Sequence, residues 1–124
     1  MIEKEKVLKV INDFCAAKAE RENFSLENIN TYQYGEKMKG LLNYLENLSC
    51  EEIIDLCALM DYGRKCKQKE ISIPDIVMFR QIRKSFLENH REDKYLAYYL
   101  LKKSELNIYL TYAVKLYCEG VEGF

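Results

Sequence analysis

Apolar positions along this chain recur every three to four residues, the period of a helix with one buried face. Val7, Leu8, Val10, Ile11, Phe14, Cys15 and the stem of Lys18 trace such a face and predict a first helix over 2–22, stopped at the turn-like Asn23-Phe24-Ser25. Tyr34, Met38, Leu41, Leu42, Leu45 and Leu48 predict a second over 30–47, which Gly35 and Gly40 weaken. Each glycine costs ~1 kcal/mol relative to alanine in an exposed helix interior. Ser49-Cys50-Glu51-Glu52 spells a capping box, and Leu48 and Ile53 flank it as a hydrophobic staple, so a third helix starts at Cys50. Ile53, Ile54, Leu56, Cys57 and Met60 should point inward, and Gly63 reads as the left-handed stop that ends this helix at 63.

Residues 64–71 then read as a basic connection, and Ser72-Ile73-Pro74-Asp75 opens a fourth helix over 74–90, with Pro74 in its first turn. Ile76, Val77, Phe79, Ile82, Phe86 and Leu87 supply its inner face. A fifth helix covers 92–101, and a sixth, capped by Ser104, covers 105–119 up to Gly120. The expected architecture is all-α: one domain of about six helices with almost no strand. The first helix, the longest and most charged, would pack on its own bundle or on a second copy.

Composition supports this reading. The chain has 124 residues, 48% apolar and 31% charged, with one proline and five glycines, too little turn chemistry for a sandwich or barrel. Met1-Ile2-Glu3-Lys4-Glu5-Lys6 is not a secretory signal, and no apolar run approaches the ~18 residues of a membrane span. Five scattered cysteines, Cys15, Cys50, Cys57, Cys66 and Cys118, fit reduced, small buried hydrophobes better than a disulfide framework. A cytoplasmic protein is expected, and the richness in Lys, Glu, Asn, Ile and Tyr suggests a low-GC bacterial source.

Net charge is −1, but its distribution is uneven. Residues 1–63 hold 7 basic and 12 acidic groups, residues 64–84 hold 7 and 2, and residues 85–124 hold 5 and 6. The middle segment, with Arg64, Lys65, Lys67, Lys69, Arg80, Arg83 and Lys84, is either a patch for nucleic acid or a lysine-rich loop paired with the acidic N-terminal half. A helix-turn-helix is not expected, because a connection of about ten residues exceeds the usual three or four.

The chemistry of single sites is sparse. With His90 as the one histidine, multi-histidine metal sites are excluded; near a helix C-terminus it is favoured by the dipole. Cys50, Cys57 and Cys66 lack the short knuckle spacing of structural zinc. Cys50 at a helix start leaves a lowered thiol pKa and a redox role open. Glu51-Glu52 and Glu92-Asp93 lie in first turns, where the helix dipole favours them. No Gly-rich phosphate loop is present, and no cofactor, metal or catalytic residue is expected. Six of the ten tyrosines, Tyr95, Tyr98, Tyr99, Tyr109, Tyr112 and Tyr117, follow residue 94. They form an aromatic core whose hydroxyls reach the surface, or an interface, since tyrosine is enriched there.

Leu59-Met60-Asp61-Tyr62-Gly63-Arg64 resembles the Leu-Met-x-x-Gly-Arg signature of a bacterial family of unknown function, number 3775 in the domain-of-unknown-function series. Tyr99-Leu100-Leu101, then Ser104-Glu105-Leu106 and Tyr109-Leu110, is similar in order and spacing to that family's Tyr-Leu pair, short turn and final Leu-rich helix. The resemblance covers about 50–117, with Ser104 and Ala113 where the family has Pro and Gly. It implies a small helical domain without known activity and carries over no catalytic residue.

The function expected from the sequence is a non-enzymatic protein-protein interaction module, self-associating or binding a protein partner. Tyr98, Tyr109, Tyr112 and Tyr117 would carry the binding, with Arg64 at the rim as a solvated cation or an anion anchor. The alternative is a nucleic-acid-binding regulator that uses the basic segment 64–84.

Overall fold

The computed structural model describes residues 1–22, 35–70, 73–90 and 94–117. They form helices α1 (Lys4–Glu22), α2 (Glu36–Glu46), α3 (Cys50–Lys69), α4 (Ile76–His90), α5 (Leu96–Leu101) and α6 (Leu106–Ala113), the last running into a 3-10 turn over Val114–Tyr117. No strand occurs among the described residues, so the all-α bundle expected from the periodicity is what the chain forms.

The start of α3 follows the expected chemistry. The Glu52 amide donates to Ser49 Oγ at 3.1 Å, and the Ser49 amide donates to Glu52 Oε1 at 3.1 Å. Lys6 Nζ on α1 donates to the other oxygen, Glu52 Oε2, at 2.5 Å, tying the first helix to the cap of the third. These bonds hold the Glu52 carboxyl below the ordinary carboxylate range, the lysine bond contributing most.

Other boundaries differ from the sequence reading. Gly35 is the N-cap of α2, and the expected start at 30 lies outside the described residues. Asp75, not Pro74, opens α4: the Met78 amide donates to Asp75 Oδ1 at 3.0 Å. Pro74 therefore precedes the helix. Ser104 does not cap α6; Glu105 holds that position without a side-chain bond to the helix's free amides, and the Ser104 carbonyl accepts from Lys18 Nζ at 3.1 Å. The ends expected at 92 and 119 lie outside the described residues.

The largest correction concerns α3. It runs through Gly63 to Lys69 and ends on Glu70, which adopts the left-handed region at φ 53°. The expected basic loop is thus the last two turns of a helix. Gly63 faces α6 so closely that a Cβ there would lie 1.7 Å from the Tyr109 carbonyl oxygen. A glycine that ends a helix and one that admits a neighbouring backbone look alike locally; here the second role holds.

This contact makes α3 the axle of the bundle. Ile53 through Met60 are buried without interruption, followed by Tyr62, Gly63 and Cys66. α4, α5 and α6 all pack on α3, and α1 packs on α2 and α6. From α1 the core takes Val7, Val10, Phe14 and Ala17, while Leu8 and Cys15 are exposed. Met38, Leu41 and Leu45 come from α2, and Phe79 and Ile82 from α4. Val77, expected inside, is 60% exposed.

Two glycine substitutions separate propensity from packing. Gly63→Ala is expected to lower stability in urea melts by about 3 kcal/mol, because α3 and α6 must part. Gly40→Ala, exposed with nothing within 4 Å of the new Cβ, is expected to raise it by ~0.5–1 kcal/mol. A Gly63→Ala protein as stable as the parent refutes the close approach.

Candidate functional site

A buried carboxylate sets the frame in which any surface site sits. Asp55, 1% exposed, lies in the middle of the apolar run on α3. Its Oδ2 accepts from the Ile2 amide at 2.7 Å, and its Oδ1 accepts from Arg83 Nε at 2.6 Å. Tyr117 Oη donates to the Ile2 carbonyl at 2.6 Å, and burial pushes the Tyr117 hydroxyl pKa up. One residue at the N-terminus is therefore gripped by both its backbone groups, and α4 is pinned to α3. A buried charge needs such partners, because desolvation otherwise drives it out of the ionised form. A second polar contact fixes the entry to α4: the Asp75 amide donates to Tyr62 Oη at 2.9 Å. Burial pushes the Tyr62 hydroxyl up to about 12.

The concave surface lies where α4 ends and α5 begins. Phe86 and His90 share one face of α4 at i, i+4, their rings 5.6 Å apart and tilted by 46°. α5 turns Leu96, Ala97, Leu100 and Leu101 into the core. Its other side presents Tyr95, Tyr98 and Tyr99, which are 63%, 40% and 36% exposed. The Tyr99 ring lies 6.3 Å from Phe86. Between the two helices opens a cleft of about 700 Å³, lined by Phe86, His90, Tyr95, Leu96, Tyr98, Tyr99 and Lys102. Burial raises the Tyr99 hydroxyl pKa, and the Asp61 carboxylate adds to the rise while Arg64 opposes it.

A smaller cavity of about 350 Å³ adjoins it, with Phe86 and His90 as shared walls and Asp61, Lys65, Gln81 and Ser85 among the rest. Serine, histidine and aspartate thus line one space, the composition of a hydrolytic triad. Their roles differ from a triad's: Asp61, which would have to orient the imidazole, accepts from Arg64 at Oδ1 and has Lys65 Nζ 3.8 Å from Oδ2. Asn89 Nδ2 lies 3.5 Å from Ser85 Oγ. Among the described residues no group of three or more His, Cys, Asp and Glu side chains could hold a metal ion.

The residues singled out from the sequence separate into different places. Tyr98 lines the cleft. Arg64, expected just past a helix end, is inside α3 and part-buried on Asp61, between Tyr99 and Tyr109 whose ionisation its charge affects. Tyr109 backs onto Gly63 and donates its hydroxyl to Glu105 Oε2 at 2.9 Å. Tyr112 is half-buried under Lys115, whose ammonium lies 5.2 Å from its ring centre. Tyr117 is committed to Ile2 and takes no part in the cleft.

The basic segment is spread over two helices rather than one loop. Lys65 lies near Asp61, Lys67 bonds Glu105 at 2.9 Å, Arg83 bonds Asp55, and Lys84 lies 3.8 Å from Glu88. Lys69, in the last turn of α3, and Arg80 are exposed. Asp55 and the cleft were missed by sequence reasoning. Both had signals: a carboxylate amid Ile53, Ile54, Leu56 and Cys57, and an aromatic pair four residues apart near a helix end.

No family model, no curated protein and no solved structure matches this chain.

Two neighbouring cations on α4 are expected to behave oppositely. Arg83→Leu leaves the Asp55 charge buried without its cation and should cost about 3 kcal/mol in chemical denaturation. Lys84→Leu, whose side chain is 76% exposed, should change stability by less than ~0.5 kcal/mol. Equal effects overturn the structural role given to Arg83.

Proposed function

We propose that the protein is a non-enzymatic binding module whose working surface is the aromatic cleft between α4 and α5. The observation that carries this reading is the arrangement of Tyr95, Tyr98 and Tyr99. All three are presented together by a short helix whose opposite side is fully committed to the core. Tyrosine supplies large contact area with few rotatable bonds, plus a hydroxyl for the rim, which is why interfaces are enriched in it. The cleft volume falls in the range of sites that take one or a few side chains of a ligand. Because α5 is anchored by Leu96, Ala97, Leu100 and Leu101, the tyrosines are held before a partner arrives, which lowers the entropy lost on binding.

Of the tyrosines singled out from the sequence, this reading keeps Tyr98 and replaces the rest with Tyr95 and Tyr99. Nucleic-acid binding through 64–84 has less behind it, because five of the seven cations there already face a carboxylate within 4.0 Å. Kinship with the 3775 series is part of the proposal and adds no catalytic residue to it. A bacterial cytoplasm is the setting it assumes, in keeping with the unbridged Cys15, Cys50, Cys57 and Cys66.

Selection from a random peptide-display library tests the reading. The wild-type protein is expected to enrich apolar and aromatic sequences. Tyr95→Ala/Tyr98→Ala alters two exposed side chains and so should keep its helicity and melting temperature. It should bind the selected peptides more weakly by roughly thirtyfold, the loss of about 2 kcal/mol typical of a truncated interface anchor. Unchanged affinity in the double variant refutes the cleft as the working surface.

A further inference from the structure

We infer that the occupant of this cleft is an acidic, apolar polypeptide segment: one bulky hydrophobic side chain seated among the rings, with carboxylates on either side of it. The inference rests on the reading of the cleft as a binding surface and adds the chemistry of the partner.

Charge is what selects the partner. The chain as a whole is slightly acidic, yet the described residues that line the cleft include Lys102 and His90 and no carboxylate. Two more lysines stand over its tyrosines. Lys103 Nζ lies 4.6 Å from the centre of the Tyr99 ring, and Lys94 Nζ lies 5.5 Å from the centre of the Tyr95 ring. An ammonium resting on an aromatic face is attracted by the ring quadrupole. It is thereby restrained beside the cleft without surrendering its N–H donors, which stay available to an incoming carboxylate. Among the described residues, Asp61 is the carboxylate that lines the adjoining cavity, and it is already matched by Arg64 and Lys65. Among the described residues the rim thus carries lysines and no carboxylate, and the floor is apolar: Phe86, Leu96 and the tyrosine rings.

These features ask for complementary features in one ligand. A basic or neutral segment would place the lysine rim against like charge or leave it unmatched, and like-charge juxtaposition costs several kcal/mol across an interface. A purely ionic ligand would leave the aromatic floor unfilled. A stretch that alternates Glu or Asp with Leu or Phe satisfies both, the apolar contact supplying most of the affinity and the lysines the orientation and the sign preference.

Isothermal titration with two synthetic probes decides the matter. The first is a capped peptide of about twelve residues, Glu-rich with Leu and Phe at helical spacing; the second is its twin with every Glu replaced by Lys. The acidic probe is expected to bind, and to weaken at least threefold between about 50 and about 300 mM NaCl, as screening of exposed charges requires. Lys94→Glu/Lys103→Glu, a reversal at the two ammonium groups beside the tyrosine rings, should weaken it by about tenfold, or 1.4 kcal/mol, and the lysine twin should not bind. Binding of the lysine twin as tight as that of the acidic probe overturns the inference, and so does full affinity in the charge-reversed variant.

The same variants keep this failure apart from failure of the cleft itself. If display-selected peptides still need Tyr95 and Tyr98 but carry no excess of acidic residues, the partner chemistry is wrong and the cleft stands. If sedimentation velocity shows a dimer that Tyr95→Ala/Tyr98→Ala dissolves, a second copy of the chain is the occupant and the acidic segment is refuted.

Discussion

Everything in this bundle is arranged around the complete burial of the middle of one helix. α3 spans twenty residues and from Ile53 to Met60 shows no face to solvent. A helix that is apolar on one side can rest on a sheet or on one neighbour. A helix enclosed all round must be surrounded, and the shortest way to do so is with antiparallel helices joined by short turns. α4, α5 and α6 perform that task against α3, and α1 closes the remaining side through α6 and α2. At Gly63 the enclosure closes to backbone contact, since no side chain of any size fits between α3 and the Tyr109 carbonyl.

Enclosure has a consequence for polar groups. Each one carried by the buried part of α3 must find its partner inside the molecule. Asp55 finds the Ile2 amide and Arg83, and the hydroxyl of Tyr62 finds the Asp75 amide. These bonds join α3 to segments far away in the chain: the extreme N-terminus, the middle of α4 and the cap of α4. A local sequence window cannot contain such partners, so the charge run at 64–84 cannot be apportioned from the sequence alone. Arg83 and Lys67 answer carboxylates 28 and 38 residues distant. Their positive charges are counterweights to Asp55 and Glu105.

The parts of the fold that were legible in the sequence are those fixed by neighbours a few residues apart. The capping box at Ser49, most of the core faces of α1, α2 and α4 (Leu8, Cys15 and Val77 excepted), and the place of His90 at the end of α4 follow from spacing alone. Gly63, Ser104 and Pro74 were misread for a shared reason. Each is a residue type with a strong local meaning that another contact overruled: the α6 backbone for Gly63, Lys18 for Ser104 and, for Pro74, the carboxylate of its own neighbour Asp75. The tyrosines follow the same division. Sequence proximity grouped six of them, while the bundle gave Tyr117 to the N-terminus, Tyr109 to the α3–α6 seam, and Tyr95, Tyr98 and Tyr99 to the cleft.

The cleft inherits its rigidity from the same enclosure. A six-residue helix such as α5 has no stability of its own in water, since helices shorter than about twelve residues are marginal even with favourable sequences. It exists because Leu96, Ala97, Leu100 and Leu101 are buried against α2 and α3. The exposed tyrosines are thus placed by the core beneath them, and whatever fills the cleft must favour the folded state over the unfolded one. Binding and stability are then linked: a partner at a hundred times its dissociation constant adds about 2.7 kcal/mol to the folding free energy. Loosening the grip of α3 on its neighbours, at Gly63 or at Asp55, acts in the opposite direction and weakens the site without touching it. A surface this dependent on one central helix is coupled to every residue that encloses that helix.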